Sequence, residues 1–111
     1  MPMSVSFIPK EDRLDLSFDG NLDLTVANDL CELIPRIDDN LKTCIVDLSR
    51  VERVFDSGIA LLRMLSGGLA RVGATLVVLS DHPDVQRRMP LFLGNASCLS
   101  PQDAQATLRS A

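Results

Sequence analysis

Hydrophobic and polar positions alternate at two places near the start of the chain. Val5 and Phe7 fall on one face of residues 3–8. Leu14, Leu16 and Phe18 share a face of residues 14–18, with Asp15 and Ser17 opposite. A period of two marks half-buried strands, so these segments are expected to form a strand pair joined by the polar turn Pro9-Lys10-Glu11-Asp12. The period then changes. From Thr25, apolar residues recur at Ala27, Leu30, Ile34 and Ile37, the spacing of a helix face, and Pro35 should kink or end that helix. The run Thr43-Cys44-Ile45-Val46-Asp47-Leu48 is almost continuously apolar, as expected of a strand covered on both faces.

A second helical pattern runs from Ser57 to about Val72, with Ile59, Leu62, Leu65 or Ser66, and Leu69 along its inward stripe. Gly67 and Gly68 interrupt it. Two glycines inside a helix cost roughly 1–2 kcal/mol together, which points either to close packing or to a local irregularity there. Gly73 is placed to cap the end, and Thr75 to Leu79 reads as a further strand. Pro83 suits a first helical turn, with Val85, Met89 and Phe92 on an apolar side that Pro90 should cut short. A brief strand is expected around Cys98, and Ser100-Pro101-Gln102-Asp103 opens a short terminal helix carrying Ala104 and Leu108. Strands and helices alternating through the middle of the chain imply a parallel-containing α/β sheet with helices packed on it.

Composition narrows the class. At 111 residues with 46% hydrophobic content, residues 1–111 are expected to form a single domain with a real core. The longest aliphatic run, Leu76 to Leu79, is far too short to span a bilayer, and residues 1–12 lack the pattern of a secretory signal. A cytoplasmic protein without direct membrane insertion is expected. Cys31, Cys44 and Cys98 are odd in number, far apart and set among apolar neighbours, which suits buried thiols better than a disulfide or a metal site. The net charge of −4 argues against binding nucleic acid. That charge is uneven: residues 1–50 hold ten acids against five bases, residues 51–111 five against six. The acidic half should either prefer a basic partner surface or be a solvated face that binds nothing.

Little catalytic chemistry is visible. Ser57 would need a base to act as a nucleophile, and His82, before Pro83 at an expected helix start, suits a capping or surface role. Gly67 to Gly73 lacks the Lys-Ser/Thr ending of a phosphate loop and falls within a helix. No metal and no cofactor is called for. What stands out is Val54-Phe55-Asp56-Ser57-Gly58-Ile59-Ala60-Leu61-Leu62, with Asp-Ser-Gly directly before a very apolar helix. Asp or Ser there can cap the helix, and a serine at a helix start also sits where a phosphate would meet N–H groups and the positive dipole end.

Asp47-Leu48-Ser49-Arg50-Val51, then Phe55-Asp56-Ser57-Gly58-Ile59-Ala60-Leu61-Leu62, then Gly73-Ala74-Thr75-Leu76-Val77-Val78, is similar to the STAS domain of bacterial anti-sigma factor antagonists. The upstream Gly20-Asn21-Leu22-Asp23 resembles the segment before that family's first helix. The resemblance covers nearly the whole chain and implies one domain with a mixed four- to five-stranded sheet and about four helices. In that family the residue before the glycine is often the Ser or Thr phosphorylated by a partner kinase, which here is Ser57. The family pattern places an Asp three residues before the glycine, where this chain has Phe55. Deleting one residue aligns that Asp with Asp56 instead.

The resemblance implies a non-enzymatic phosphoprotein in signal transduction and transcription regulation. Its partners would be an anti-sigma factor or related serine kinase and a serine phosphatase. The expected partner surface is Asp23, Leu24, Thr25, Asp56, Ser57 and Gly58, with Arg63 a turn and a half along the helix. Two alternatives stay open: a non-catalytic STAS accessory subunit of a transport or lipid-trafficking complex, and a nucleotide-binding module using the Asp-Ser-Gly turn.

Overall fold

Among the described residues, five strands form one mixed sheet in which sequence neighbours are also spatial neighbours, β1 (Met3–Ile8), β2 (Arg13–Leu22), β3 (Thr43–Val54), β4 (Thr75–Leu79) and β5 (Ala96–Leu99). The computed structural model describes residues 3–83, 85 and 87, and the backbone of residues 96–99. β1 runs antiparallel to β2, and every later pair is parallel. The expected helix from Ser100, together with Met89 and Phe92, lies outside the described residues. Pro83, Val85 and Arg87 are helical, with Val85 buried.

The β1–β2 turn matches the polar stretch read from the sequence. Pro9–Glu11 make a 3-10 turn, and Asp12 closes it in the left-handed region at φ 48°. An aspartate tolerates that conformation better than most residues. The Asp12 carbonyl then accepts the N–H of Lys42 at 2.9 Å, and the Lys42 carbonyl accepts that of Thr75 at 2.9 Å. These bonds tie the starts of β2, β3 and β4 together. Parallel strands that start level at one end of a sheet all carry the chain to its opposite end, so the segments after β2 and β3 emerge on the same side.

Helix α1 (Ala27–Leu33) is entered through a 3-10 turn at Leu24–Val26 and left through another at Ile34–Arg36 that contains Pro35. Helical backbone thus starts one residue before Thr25, with Asp23 as the capping residue. Helix α2 (Asp56–Arg71) buries Ile59, Leu61, Leu62, Leu65 and Leu69 against the sheet. They meet Leu16, Phe18 and Leu22 of β2, Val46 and Leu48 of β3, and Leu76 and Val78 of β4, all within one core cluster. The C-terminus of α2 is closed by Gly73 at φ 76°, whose N–H reaches the Ala70 carbonyl at 3.1 Å while that of Ala74 reaches Leu69 at 2.9 Å. This paired arrangement satisfies carbonyls that the helix end would otherwise leave open.

Several sequence expectations are revised. β2 and β3 both run further than the periodic stretches 14–18 and 43–48, forming a two-strand extension in which Asn21 pairs with Arg53 and Leu22 with Val54. Cys44 is buried, and its thiol is pushed up to about 12, chiefly by desolvation. Cys31 is exposed, contrary to the expectation of a buried thiol. Its apolar sequence neighbour Leu30 points to the core, but the next residue on a helix is rotated about 100° away.

The three glycines of α2 differ in what surrounds them. A methyl group on Gly58 would overlap the Leu22 carbonyl oxygen and stand 2.7 Å from the Leu22 Cγ. On Gly68 it would lie 2.9 Å from the Ile34 Cγ2, so close packing explains that position, whereas Gly67 faces open space. Gly67→Ala is therefore expected to raise stability by about 0.5–1 kcal/mol through helix propensity alone. Gly58→Ala should lower it by about 1–3 kcal/mol, since the overlap is with backbone that other bonds hold in place. Urea midpoints of the two variants check both signs.

Candidate functional site

The extended β2–β3 pair ends in two turns that leave the sheet side by side. After Leu22 comes Asp23-Leu24-Thr25. After its register partner Val54 comes Phe55-Asp56-Ser57. Two contacts join them: the Phe55 N–H donates to the Leu22 carbonyl at 3.0 Å, and Gly58 presses its bare Cα against that same carbonyl. Gly20 at φ 78° and register shifts on either side of it let β2 bend into this position. The sequence marks all of these residues, but not the physical reason for Gly58, which is buried beneath the surface and acts there as a spacer.

Helix α2 starts differently from the sequence reading. Its capping residue is Phe55, in extended backbone at φ −95° and ψ 162°, whose side chain makes no cap hydrogen bond. Asp56 and Ser57 are the first and second helical residues, Asp56 exposed and Ser57 half-buried. The first-turn N–H groups of any α-helix lack intrahelical acceptors, so the Ser57 side chain lies within the positive end of α2. The neighbouring turn is capped by a side chain. Asp23 Oδ1 accepts the Thr25 N–H at 2.9 Å and the Thr25 hydroxyl at 2.6 Å. These two bonds, the hydroxyl's foremost, hold the Asp23 carboxyl below its ordinary pKa.

The surface around Ser57 is more apolar than the sequence reading proposed. Leu24 is 68% exposed and Phe55 43%. Met64, two turns along α2 from Ser57 on nearly the same side, is 50% exposed. Phe55 and Met64 are additions to the expected surface residues, although Phe55 is conspicuous in the sequence as the departure from the family's Asp. Arg63 is exposed and stands two turns from Asp56 along one face. The same sheet edge also holds His82, whose Nε2–H donates to the Val51 carbonyl at 2.7 Å, while its backbone N–H donates to Ser80 Oγ at 3.0 Å. This histidine therefore secures the extended part of β3, a role that its position before Pro83 does not reveal.

Among the described residues no group of three or more His, Cys, Asp or Glu side chains gathers as a metal site would require. No helix among the described residues is long and apolar enough to cross a membrane.

The Asp23–Thr25 pair generates a pH prediction. A carboxyl held below its unfolded value supports the folded turn above the ordinary aspartate range, and that support is lost as pH falls through the folded value. Carboxyl-carbon NMR titration should find Asp23 below the ordinary aspartate midpoint, and Thr25→Val should return it upward. An unchanged midpoint in that variant would remove the hydroxyl as the cause.

No protein-family model and no curated protein sequence matches the chain. Solved structures do. The anti-sigma factor antagonist SpoIIAA in its unphosphorylated form superposes with a TM-score of 0.74 at 15% identity, over 97% of this chain and 96% of that one. Its phosphorylated form, described as a Bacillus cell fate determinant, gives 0.66 over 96% and 98% at 15% identity. A serine-to-glutamate variant of RsbS from Moorella thermoacetica gives 0.73 at 19% identity, over 99% and 97% of the two chains. A sulfate transporter family protein from Wolinella succinogenes gives 0.68 at 18% identity, over 88% and 85%. This chain has the fold of the anti-sigma factor antagonists, the STAS fold of the family that its Asp-Ser-Gly and Gly-Asn-Leu-Asp segments resemble.

Proposed function

We propose that this chain is a non-enzymatic, phosphorylation-regulated binding switch of the anti-sigma factor antagonist kind, acting in the bacterial cytoplasm. With Ser57 unphosphorylated it binds an anti-sigma factor or a related serine kinase. With Ser57 phosphorylated it releases that partner, and a serine phosphatase restores the binding form. The observation that carries this reading is the junction of the two turns: Leu22 receives both the Phe55 N–H and Gly58, so that Asp23-Leu24-Thr25 and Asp56-Ser57 form one surface. The likeness in fold to a protein solved in phosphorylated and unphosphorylated forms supports it.

Phosphate on Ser57 would add about −1.5 to −2 charges at pH 7. Within the domain the start of α2 accommodates part of that charge, so the core need not repack. At an interface the balance differs. A partner carboxylate about 5 Å away opposes one negative charge by roughly 3 kcal/mol at an effective dielectric near 20, less with exposure and salt. A loss of about 2.7 kcal/mol is already a hundredfold in affinity.

The fold likeness to the Wolinella sulfate transporter family protein favours one second reading, a non-catalytic accessory domain of a transport complex. Copurification with a membrane transporter, indifferent to the state of Ser57, would support it over the switch.

Ser57→Ala is expected to keep binding the partner in the presence of kinase and ATP, and to shift stability by no more than about 0.5 kcal/mol, because Ser57 is not the capping residue of α2. Mass spectrometry after incubation with the cognate kinase should place phosphate on Ser57; efficient labelling of Ser57→Ala elsewhere would overturn the assignment. Asp23→Arg and Asp56→Arg should each weaken partner binding at least tenfold with circular dichroism unchanged. Normal affinity in both would move the interface away from this edge.

A further inference from the structure

The exposed large apolar side chains among the described residues fall into two groups: Leu24, Phe55 and Met64 near Ser57, and Val5 at 50% and Phe7 at 52% on β1. The second group belongs to no part of the site above. β1 is an edge strand of the sheet, so its outer backbone groups face no other strand among the described residues. Val5 pairs with Leu16 and Phe7 with Leu14, which puts both on the face of the sheet that carries the helices. Between this strand and α1 run two adjoining grooves of about 300 and 240 Å³. Leu33 lines both, with Phe7 and Ile37 in one and Val5 in the other.

An edge strand six residues long, without a charge, proline or bulge of its own, is unusual unless something covers it. The rim indicates what. Asp29 and Glu32 border the groove beside Val5, Asp38 borders the one beside Phe7, and Arg36 is the single base on either. Three acids against one base would repel a second copy of the same rim and attract a basic segment.

We propose that the outer edge of β1 is a second interaction surface, one that takes an extended basic segment of another protein as a sixth strand. Main-chain hydrogen bonds to β1 supply the pairing. The segment's side chains on the helix face, every second residue, include both apolar and basic ones: the apolar ones settle on Val5, Phe7 and Leu33, and Lys or Arg beside them on that same face meet Asp29, Glu32 and Asp38. The surface operates independently of Ser57, which lies on the junction at the C-terminal ends of β2 and β3.

The test uses the whole chain and two synthetic eight-residue probes, one with Lys, Val, Phe and Lys at every second position and Ser or Thr between them, the other with Glu in place of Lys. Backbone amide NMR should show the basic probe shifting residues 3–8 and 29–38, and the acidic probe binding at least tenfold more weakly. Val5→Lys, at an exposed position that should leave thermal unfolding unchanged, should weaken the basic probe at least tenfold, while Ser57→Asp should leave it unaffected. Equal binding of both probes, binding of neither, or shifts confined to residues 23–25 and 55–58 would overturn the proposal. So would concentration-dependent dimerisation of the chain in sedimentation that Val5→Lys abolishes, since the edge would then belong to a second copy.

Discussion

A single carbonyl group organises the candidate site. The oxygen of Leu22 accepts the Phe55 N–H and lies against Gly58, closer than any side chain would allow. Because both partners belong to the start of α2, this contact fixes where the helix begins relative to the end of β2. The wider arrangement depends on it. α2 can lay its apolar stripe across the sheet, and the turns after β2 and β3 become one continuous surface. With a methyl at residue 58, the helix start would have to lift from the strand end and carry Ser57 with it.

Much of this is legible in the sequence because burial and periodicity agree there. The strand pair at the start, the apolar face of α2 and the glycine at its end all announce themselves by spacing and turn chemistry. The extension of β3 does not. The apolar run read from the sequence stops at Leu48, but a two-strand ribbon beyond the covered part of a sheet can expose most of its side chains and still be held by backbone bonds and by His82. The helix cap departs from the sequence reading for a related reason. Asp56 and Ser57 are good capping residues, yet the chain reaches helical geometry one residue earlier because Phe55 is already pinned to Leu22. Gly58 shows a third limit. Sequence identifies a glycine but cannot say whether its conformational freedom or its lack of a side chain matters, and here only the latter does.

That Phe55 and not Ser57 is the capping residue of α2 bears on how one residue could serve a switch. A serine committed to capping would lose a structural bond on modification, so that phosphorylation would also strain the fold. Here Ser57 is not the capping residue. Its hydroxyl can change state at the positive end of the helix while the Leu22 contact continues to hold that end in place. Leu24, Phe55 and Met64 leave apolar area exposed near Ser57, which a partner docking there would bury, with charge deciding whether docking is permitted.

The central claim is that phosphate on Ser57 changes the surface and not the fold, and comparing backbone amide spectra of the phosphorylated and unphosphorylated chain tests it most directly. The account predicts shifts confined to residues 23–25 and 55–60, with the amides of β3, β4 and the far end of α2 unmoved and partner binding lost. Shifts spread through the sheet and both helices would contradict it, because the junction at Leu22 would then be what phosphorylation breaks.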